Sequence, residues 1–337
     1  MPDLNLLNKK KILITGPEGF IGAHLTNRLR HHLTSRLTLL TRRSHPKGED
    51  GITWMASDLG QLTPDIWREY GVEEIDILFH LGAFTPKDCN SHNEIEKVYQ
   101  DNLFGTWALL RSLPAVPKRI VFASTLDVYD KLAAGAIIDE TFSVNPASLY
   151  GASKFFCEQL VKFYAHKNSC EFAILRYGHI FGPGEQAYGK LIPATIRKLL
   201  NGEPPVLFDS GSAQRDFLYV DDAVEATLRA AASDARELGP INVVRGASVS
   251  IRSVIEMLIL ITGFSGKIRF LESENNKEHS IRFDNKRMLQ SLGVWDFVPL
   301  NEGLRREVEY FKELGSNRHL PPRPPDYEGY SGSKVVS

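Results

Sequence analysis

The sequence predicts an α/β protein built on a doubly wound parallel sheet, with a smaller C-terminal domain. Through the first half, short apolar runs alternate with amphipathic stretches, as they do where helices connect parallel strands. The first apolar run is followed by three glycines at GxxGxxG spacing, and the alternation loosens after about residue 183. These observations predict a sheet domain over 1–183, to which later segments return, and a second domain over 184–317.

The apolar runs place the strands of the first half, and the amphipathic stretches place its helices. The predicted strands cover 12–14, 37–40, 52–55, 75–81, 120–122 and 173–175, and the helices 64–70, 94–113 and 149–165. Further helices are predicted at 191–200, 220–232, 251–262, 286–292 and 304–314. The last stretch, 318–337, is rich in Pro, Gly and Ser, which predicts an irregular tail.

The glycine-rich turn after the first strand carries the first functional signal. Gly16 permits a sharp turn, Gly19 lets backbone amides approach a pyrophosphate, and Gly22 lets the next helix pack closely on the sheet. Phe20 and Ile21 begin the apolar face of that helix, whose N-terminus favours phosphate. Strand, glycines and helix together predict a dinucleotide-binding Rossmann domain.

The composition limits the classes of partner. Net charge is −1, with 40 basic and 41 acidic residues, so we expect neither a nucleic-acid nor a membrane-surface partner. Three scattered cysteines indicate neither a disulfide framework nor a metal site. The sequence has no apolar run long enough for a membrane span, and its N-terminus does not resemble a signal peptide. We therefore expect a cytoplasmic protein.

The residues after the second and third strands bear on the choice of cofactor. An acidic residue at the end of the second strand would bind the adenosine ribose and repel a 2′-phosphate. Thr41 stands there instead, followed by Arg42 and Arg43, whose guanidinium groups can pair with that phosphate. We therefore favour NADP(H), with NAD(H) possible, although two arginines after a strand are also a common solvated pair. Asp58, after the third strand, could accept a hydrogen bond from the adenine amino group.

Tyr150 and Lys154 carry the predicted proton chemistry. Positions i and i+4 share a helix face, so the phenol and the ammonium would lie side by side. A neighbouring cation favours the phenolate and should lower the tyrosine pKa towards neutral pH. Such a tyrosine can transfer a proton to or from a hydroxyl group during hydride transfer. The alternative is a surface pair on a helix.

Several motifs in a fixed order resemble the extended short-chain dehydrogenase/reductases of the nucleotide-sugar epimerase/dehydratase family. The resemblance covers about residues 10–312 and implies a Rossmann domain followed by a nucleotide-sugar-binding domain. The matching motifs lie at 15–22, 58–59, 80–83, 102–106, 124–129, 150–154, 175–183 and 215–221.

The resemblance also implies roles for individual residues. Tyr150 would be the acid/base, with Lys154 holding the nicotinamide ribose and Thr125 hydrogen-bonding the sugar oxygen. Arg215 would bind the diphosphate of a nucleoside-diphosphate sugar. Further cofactor contacts are implied at Gly16, Gly19, Phe20, Ile21, Gly22, Asp58, Leu59, Leu81, Ala83, Asn102 and Tyr177, and further substrate contacts at Thr85, His179 and Arg282.

Departures from the family pattern narrow the predicted reaction. Dehydratases of the family have Asp-Glu after the threonine, where this chain has Leu126 and Asp127, so dehydration is disfavoured. The remaining interpretations are an NADPH-dependent 4-keto-sugar reductase, which we favour here, and a 4-epimerase. A non-catalytic NADP-binding regulator is disfavoured because a binding protein would not need Thr125, Tyr150 and Lys154 together.

The two helices at 94–113 and 149–165 are apolar on more than one side, which predicts a homodimer. Family members often pair these helices into an intersubunit four-helix bundle, and the alternative is that loops of the same chain cover them. The residues in question are Ile95, Val98, Trp107, Phe155, Phe156, Leu160 and Phe163.

Overall fold

The structure is a computed structural model that describes residues 4–32, 35–45, 51–86, 92–130, 136–185, 189–208, 210–271 and 281–316. The predicted irregular tail, 318–337, lies outside these residues. The strands are β1 (Lys11–Thr15), β2 (Arg36–Thr41), β3 (Ile52–Ala56), β4 (Ile77–His80), β5 (Arg119–Thr125), β6 (Ile137–Ile138), β7 (Glu171–Tyr177), β8 (His179–Phe181), β9 (Val206–Phe208), β10 (Gln214–Tyr219), β11 (Glu237–Val243), β12 (Ser248–Ser250), β13 (Arg269–Leu271) and β14 (Arg282–Phe283).

Ten α-helices fall within the described residues. They are α1 (Phe20–His32), α2 (Pro64–Glu69), α3 (His92–Lys97), α4 (Gly105–Ser112), α5 (Leu149–Asn168), α6 (Leu191–Leu200), α7 (Val220–Ala231), α8 (Ile251–Thr262), α9 (Lys286–Leu292) and α10 (Leu300–Ser316). None of these helices is long and apolar enough to cross a membrane.

A seven-stranded parallel sheet organises the molecule, with strand order β3-β2-β1-β4-β5-β7-β11. The order reverses between β1 and β4, and in such sheets ligands bind outside the carboxyl ends of the strands at this point. The predicted doubly wound α/β fold is therefore confirmed. Each strand predicted for the first half is present, and most are longer by one or two residues at an end.

The sheet is buried on both faces, which explains its continuous apolar runs. Ile14 and Phe79 belong to one hydrophobic cluster, whereas their neighbours Leu13 and Leu78 belong to the cluster on the opposite face. All four side chains are at most 1% exposed. Because both faces are apolar, the strands lack the polar alternation of a half-exposed sheet.

The second half of the chain divides its elements between two regions. Strand β11 joins the edge of the large sheet, and helix α7 packs on α1, β5 and β7. The other elements include helices α6, α8 and α10, which pack on one another, and the three-stranded sheet β12-β10-β8. Strand β11 and helix α7 thus lie with the elements of the first half of the chain.

The predicted helix at 94–113 is interrupted. Helices α3 and α4 flank a π-helical segment, Val98–Phe104, in which each turn holds more residues than in an α-helix. Asn102 lies within this segment and is 2% exposed. Hydrophobic periodicity predicts a helix here but does not reveal the wider turns.

Candidate active site

A cavity of about 840 Å³ opens at the carboxyl ends of the central strands. It runs from the glycine-rich turn to the three-stranded sheet, so it is bordered by both regions of the fold. It is lined by Gly16, Gly19, Phe20, Ile21, Gly22, Leu81, Ala83, Thr85, Ala123, Ser124, Thr125, Leu126, Asp127, Tyr150, Lys154, Tyr177, Gly178, His179, Ile180, Lys190, Arg215, Asp216, Ile281 and Phe283.

Two glycines of the glycine-rich turn stand where a Cβ would clash with the backbone. Gly16 has φ +67°, and a Cβ there would lie 2.8 Å from the Cα of Gly82. A Cβ on Gly22 would lie 2.0 Å from the carbonyl oxygen of Gly16. The turn therefore brings the N-terminus of α1 to the cavity with backbone alone, which fits a bound pyrophosphate.

A buried hydrogen-bond chain fixes the loop after β4. The amide of Gly82 donates to Thr15 Oγ1 at 3.0 Å, and that oxygen lies 2.7 Å from His80 Nδ1. His80 Nε2 lies 2.9 Å from Thr106 Oγ1. Burial, aided by the charge of Lys154, lowers the pKa of His80 to about 3, so the ring is neutral. These hydrogen bonds position the loop that carries the cavity-lining Leu81, Ala83 and Thr85.

Asn102 supports the same loop from behind. Its Oδ1 accepts from the amide of Phe84 at 2.7 Å, and its Nδ2 donates to the carbonyl oxygen of Phe84 at 3.0 Å. Nδ2 also donates to Ser153 Oγ on α5 at 3.1 Å. Both amide protons are thus used within the protein, and Asn102 is absent from the cavity lining. In this structure Asn102 links the loop to α5.

At the end of β2 the structure places a carboxylate that the sequence analysis did not anticipate. Thr41 Oγ1 donates a hydrogen bond to Glu18, which comes from the glycine-rich turn. Arg43 Nη1 lies 3.5 Å from the Glu18 carboxylate, and Arg42 Nη1 lies 3.6 Å from Asp101 Oδ2. Both arginine side chains, 67% and 80% exposed, thus have acidic neighbours and lie outside the cavity lining.

Asp58 and Leu59 follow β3, next to this strand end. Asp58 is exposed and Leu59 is half-buried. Neither lines the cavity, which begins at the glycine-rich turn. The adenine contact of Asp58 and the cofactor contact of Leu59 remain predictions.

Thr125 ends β5 and Tyr150 lies on α5, which packs against β5, and both residues line the cavity. A Cβ on Gly151 would lie 2.2 Å from the carbonyl oxygen of Asp127, so only glycine permits this approach. Ser148 caps α5 by accepting from the Gly151 amide at 3.0 Å. The structure brings the predicted catalytic residues Thr125, Tyr150 and Lys154 to one cavity.

The pKa of Tyr150 differs from the value expected for a tyrosine beside Lys154. Burial raises the pKa of Tyr150 to about 12; a hydrogen bond with Thr85 opposes this shift, and the charge of Asp127 adds to it. Burial lowers the pKa of Lys154 to about 8. The Lys154 ammonium lies 4.5 Å from the centroid of the Phe122 ring. Burial therefore outweighs any benefit of a nearby cation, and the phenol is neutral at pH 7.

Two predicted substrate contacts share a face of the small sheet. His179 on β8 pairs in register with Phe217 on β10. Phe217 comes two residues after Arg215. Alternation along β10 puts Arg215 on the same face as Phe217, whose ring lies 5.9 Å from that of His179. Arg215 is half-buried, and burial lowers its pKa. An arginine and a histidine therefore border this end of the cavity.

Arg282 is placed differently. It is exposed and absent from the cavity lining, whereas its neighbours Ile281 and Phe283 line the cavity. Alternation along β14 accounts for this arrangement, since residues i−1 and i+1 point away from residue i.

Two further residues lie at the end of the cavity that Arg215 and His179 border, and neither was predicted from the sequence. Lys190 lines the cavity, and its Nζ lies 2.5 Å from Glu185 Oε1. Asp216, 3% exposed, accepts from the amide of Arg245 at 2.8 Å. No motif marks either residue. Lys190 follows the Gly-Pro turn and Asp216 follows Arg215, so only their closeness in sequence to predicted site residues could have indicated them.

Tyr177 lines the cavity with its ring, while its hydroxyl lies 2.6 Å from Thr227 Oγ1 on α7. Burial raises the pKa of Tyr177 beyond the range of physiological titration. The residue therefore shapes the cavity and ties it to α7. Among the described residues there is also no cluster of three or more acidic, histidine or cysteine side chains suited to a metal ion.

Comparison with known proteins agrees with this geometry. The chain is 28% identical to a putative UDP-glucose 4-epimerase of Methanocaldococcus jannaschii, covering 89% of this chain and 98% of the relative. It is 27% identical to a UDP-glucuronic acid decarboxylase of Xenopus tropicalis, over 94% and 77% of the two chains. The solved UDP-glucuronic acid 4-epimerase of Bacillus cereus, in complex with UDP-glucuronic acid and NAD, superimposes with a TM-score of 0.77 at 25% identity. That superposition covers 90% of this chain and 99% of the other.

A sequence model of one family matches residues 12–244, which include the glycine-rich turn, Thr125, Tyr150, Lys154 and Arg215. This match covers well over half of the chain. The protein is thus a member of the NAD dependent epimerase/dehydratase family.

Proposed function

We propose that the protein is a nucleotide-sugar 4-epimerase that uses tightly held NAD(H) and acts on a UDP-sugar. The observation that carries the proposal is the meeting of Thr125, Tyr150 and Lys154 in one cavity that extends from the glycine-rich turn to Arg215. Its volume, about 840 Å³, lies within the range of cofactor and ligand sites. Relatives that bind UDP-sugars and NAD support the same choice of ligands.

In this proposal Tyr150 takes the proton of the sugar hydroxyl and later returns it. Bound nicotinamide would accept the hydride from the sugar carbon and give it back. Thr125 would hydrogen-bond the sugar oxygen and align it with the phenol. Because burial raises the pKa of Tyr150 to about 12, its deprotonation requires added positive charge. Lys154 and the positive ring of an oxidised nicotinamide would supply that charge.

The residues beside Thr125 favour redox chemistry without loss of water. Leu126, 6% exposed, offers no proton-transfer group where dehydratases of the family have an acid. Asp127 lines the cavity and raises the pKa of Tyr150 by its charge. Its carboxylate stabilises the protonated phenol, which is the form that returns the proton.

The reductase that the sequence analysis favours is the second candidate. It rests on Arg42 and Arg43 as a site for the NADPH 2′-phosphate, and both arginines lie beside carboxylates in this structure. The epimerase is supported by the two relatives described as 4-epimerases, those of Methanocaldococcus jannaschii and Bacillus cereus. We therefore place the epimerase first.

The test is incubation of the purified protein with UDP-glucose or UDP-glucuronic acid and NAD⁺, followed by NMR of the sugar. We expect the C4 epimer to accumulate to equilibrium with no net change in reduced nicotinamide. Loss of CO₂ from the uronic acid would identify a decarboxylase. Stoichiometric oxidation of NADPH by a 4-keto-6-deoxy nucleotide sugar, with no epimer formed, would instead identify a reductase.

We also propose a homodimer formed through α4 and α5. Trp107, Phe156 and Phe163 on these helices are 41%, 50% and 59% exposed, which is unusual for large apolar side chains on one surface. Pairing of two copies would cover them. Light scattering at micromolar concentration should give twice the chain mass; a monomeric mass would reject the dimer.

A further inference from the structure

The glycine-rich turn brings a carboxylate to the strand end where the adenosine ribose lies in dinucleotide-binding folds. The amide of Gly16 donates to the carbonyl oxygen of Leu40 at 3.3 Å, which holds the turn against the end of β2. Two residues further on, Glu18 accepts a hydrogen bond from Thr41, the last residue of β2. The carboxylate thus occupies the place that an acidic residue of the strand itself would otherwise fill.

Three groups lie close to the Glu18 carboxylate. Besides the hydrogen bond from Thr41, Arg43 Nη1 lies 3.5 Å and His45 Nε2 3.3 Å from Glu18 Oε1. His45 is itself stacked on Trp54 of β3, with the ring centroids 3.8 Å apart. The Glu18 side chain is 29% exposed, so it is not sealed from a ligand at the strand end. A carboxylate can accept about four hydrogen bonds, which leaves capacity for a ribose hydroxyl.

We propose that Glu18 determines the cofactor preference by binding the adenosine 2′-hydroxyl of NAD(H) and repelling the 2′-phosphate of NADP(H). The proposal rests on the proposed function, since it requires a nicotinamide dinucleotide along the glycine-rich turn. It reverses the preference predicted from Arg42 and Arg43. The sequence pattern places these arginines after β2 but does not reveal that Glu18 lies between Arg43 and the strand end.

The charges around the strand end agree with this assignment. Arg43 faces the Glu18 carboxylate, and Arg42 lies near Asp101. A 2′-phosphate would compete with Glu18 for Arg43 while remaining next to the Glu18 charge. A ribose hydroxyl would meet an acceptor that is already oriented. Hydrogen bonds to a charged group change affinity by about tenfold to a hundredfold, which sets the expected size of the preference.

The experiment is a fluorescence titration of the full-length protein with NADH and with NADPH, without substrate. We expect the wild type to bind NADH at least about tenfold more tightly than NADPH. Glu18→Gln, which keeps the shape and removes the charge, should reduce that ratio by about tenfold or more. Glu18→Asp should retain part of the preference. Asp65→Asn removes an equal charge from the exposed surface of α2 and should leave the ratio unchanged.

Each outcome bears on a different claim. A wild type that binds NADPH as tightly as NADH, or a Glu18→Gln protein with an unchanged ratio, would overturn the assignment of Glu18 and leave the proposed function standing. Binding of neither cofactor by folded wild-type protein would overturn the proposed function as well. Circular dichroism of each variant confirms that the fold is intact.

Discussion

The cavity has two ends, which the proposed function assigns to the cofactor, at the glycine-rich turn, and to the substrate, at His179 and Arg215. The buried polar groups near these two ends differ in their hydrogen bonding. At the cofactor end, His80 lies within hydrogen-bond distance of a hydroxyl on each side, and Asn102 uses both amide protons. At the substrate end, Asp216 Oδ2 has no hydrogen-bond partner among the described residues. Nor do the two carboxylate oxygens of Glu307, which lies on α10 outside the cavity lining. Burial raises the pKa of Asp216 to about 6 and that of Glu307 to about 8.

This difference shows where the fold is complete without ligand. The loop after β4 at the cofactor end is held by hydrogen bonds with Thr15 and Asn102, so its geometry is preorganised. The buried carboxyl groups near the substrate end lack hydrogen-bond partners, which costs stability. The variants below test whether binding at the two ends can be separated, beginning with the residue that lies between them.

Replacing Tyr150 with phenylalanine should have the largest effect. The change removes only the hydroxyl, so turnover should fall by about 10²–10⁴-fold, as is typical for loss of a general acid/base. The dissociation constants of NAD⁺ and UDP should stay within about threefold, because neither end loses a charged contact. Tyr164→Phe, on the same helix, serves as the control and should be fully active. Near-normal turnover in Tyr150→Phe would refute the catalytic assignment.

Arg215→Met should separate the substrate end from the cofactor end. Loss of a guanidinium–phosphate contact should weaken UDP binding by about tenfold to a hundredfold while NAD⁺ binding is unchanged. The same replacement at exposed Arg282 should change UDP affinity by less than about threefold. Calorimetric titration measures both. An equal loss of UDP affinity in the two variants would mean that Arg282 also contacts the substrate.

The smallest effect concerns pH and the stability of the substrate end. Glu307 on α10 is fully buried next to Glu185, and its folded-state pKa of about 8 lies above the usual 4.5. An acid with a raised folded pKa contributes stability below pH 4.5, and this contribution is lost as the pH rises through 8. Glu307→Gln should therefore unfold at a higher temperature than wild type.

The difference in melting temperature should grow from pH 5 to pH 8 and then level off, because Glu307 is ionised in both the folded and the unfolded state above that pH. Differential scanning fluorimetry across this pH range measures it. Glu309→Gln, at an exposed position of the same helix, should show no such dependence. A difference independent of pH would mean that Glu307 does not titrate as inferred. His80, whose pKa is lowered from 6.5 to about 3, reduces the stability of wild type and variant alike as the pH falls below about 6.5, so its effect cancels in this difference.

The cofactor end could be predicted largely from the sequence because its signals are local. Gly16, Gly19 and Gly22 act through their spacing within one turn, and Tyr150 and Lys154 lie one helical turn apart. The same local reasoning missed Glu18, since its position depends on how closely the turn approaches β2. It also predicted that the Tyr150 pKa is lowered, whereas burial raises it. Burial depends on the surrounding chain and cannot be read from a helix pattern.

The substrate end was less predictable because it is assembled from distant segments. Lys190, Asp216, Ile281 and Phe283 come together only through the small sheets and loops of the second half. Strand β11 was missed because Gly239 and Pro240 interrupt its apolar run, which a strand at the edge of a sheet tolerates.

The central claim is that a hydride leaves the sugar carbon and returns to the same carbon. The most direct test uses UDP-glucose with deuterium at C4, incubated with the protein, NAD⁺ and unlabelled NADH. We predict that the C4-epimeric product retains its deuterium, as measured by mass spectrometry, and that the NADH pool stays unlabelled. Transfer of deuterium into free NADH, or formation of the epimer with hydrogen at C4, would contradict the proposed reaction.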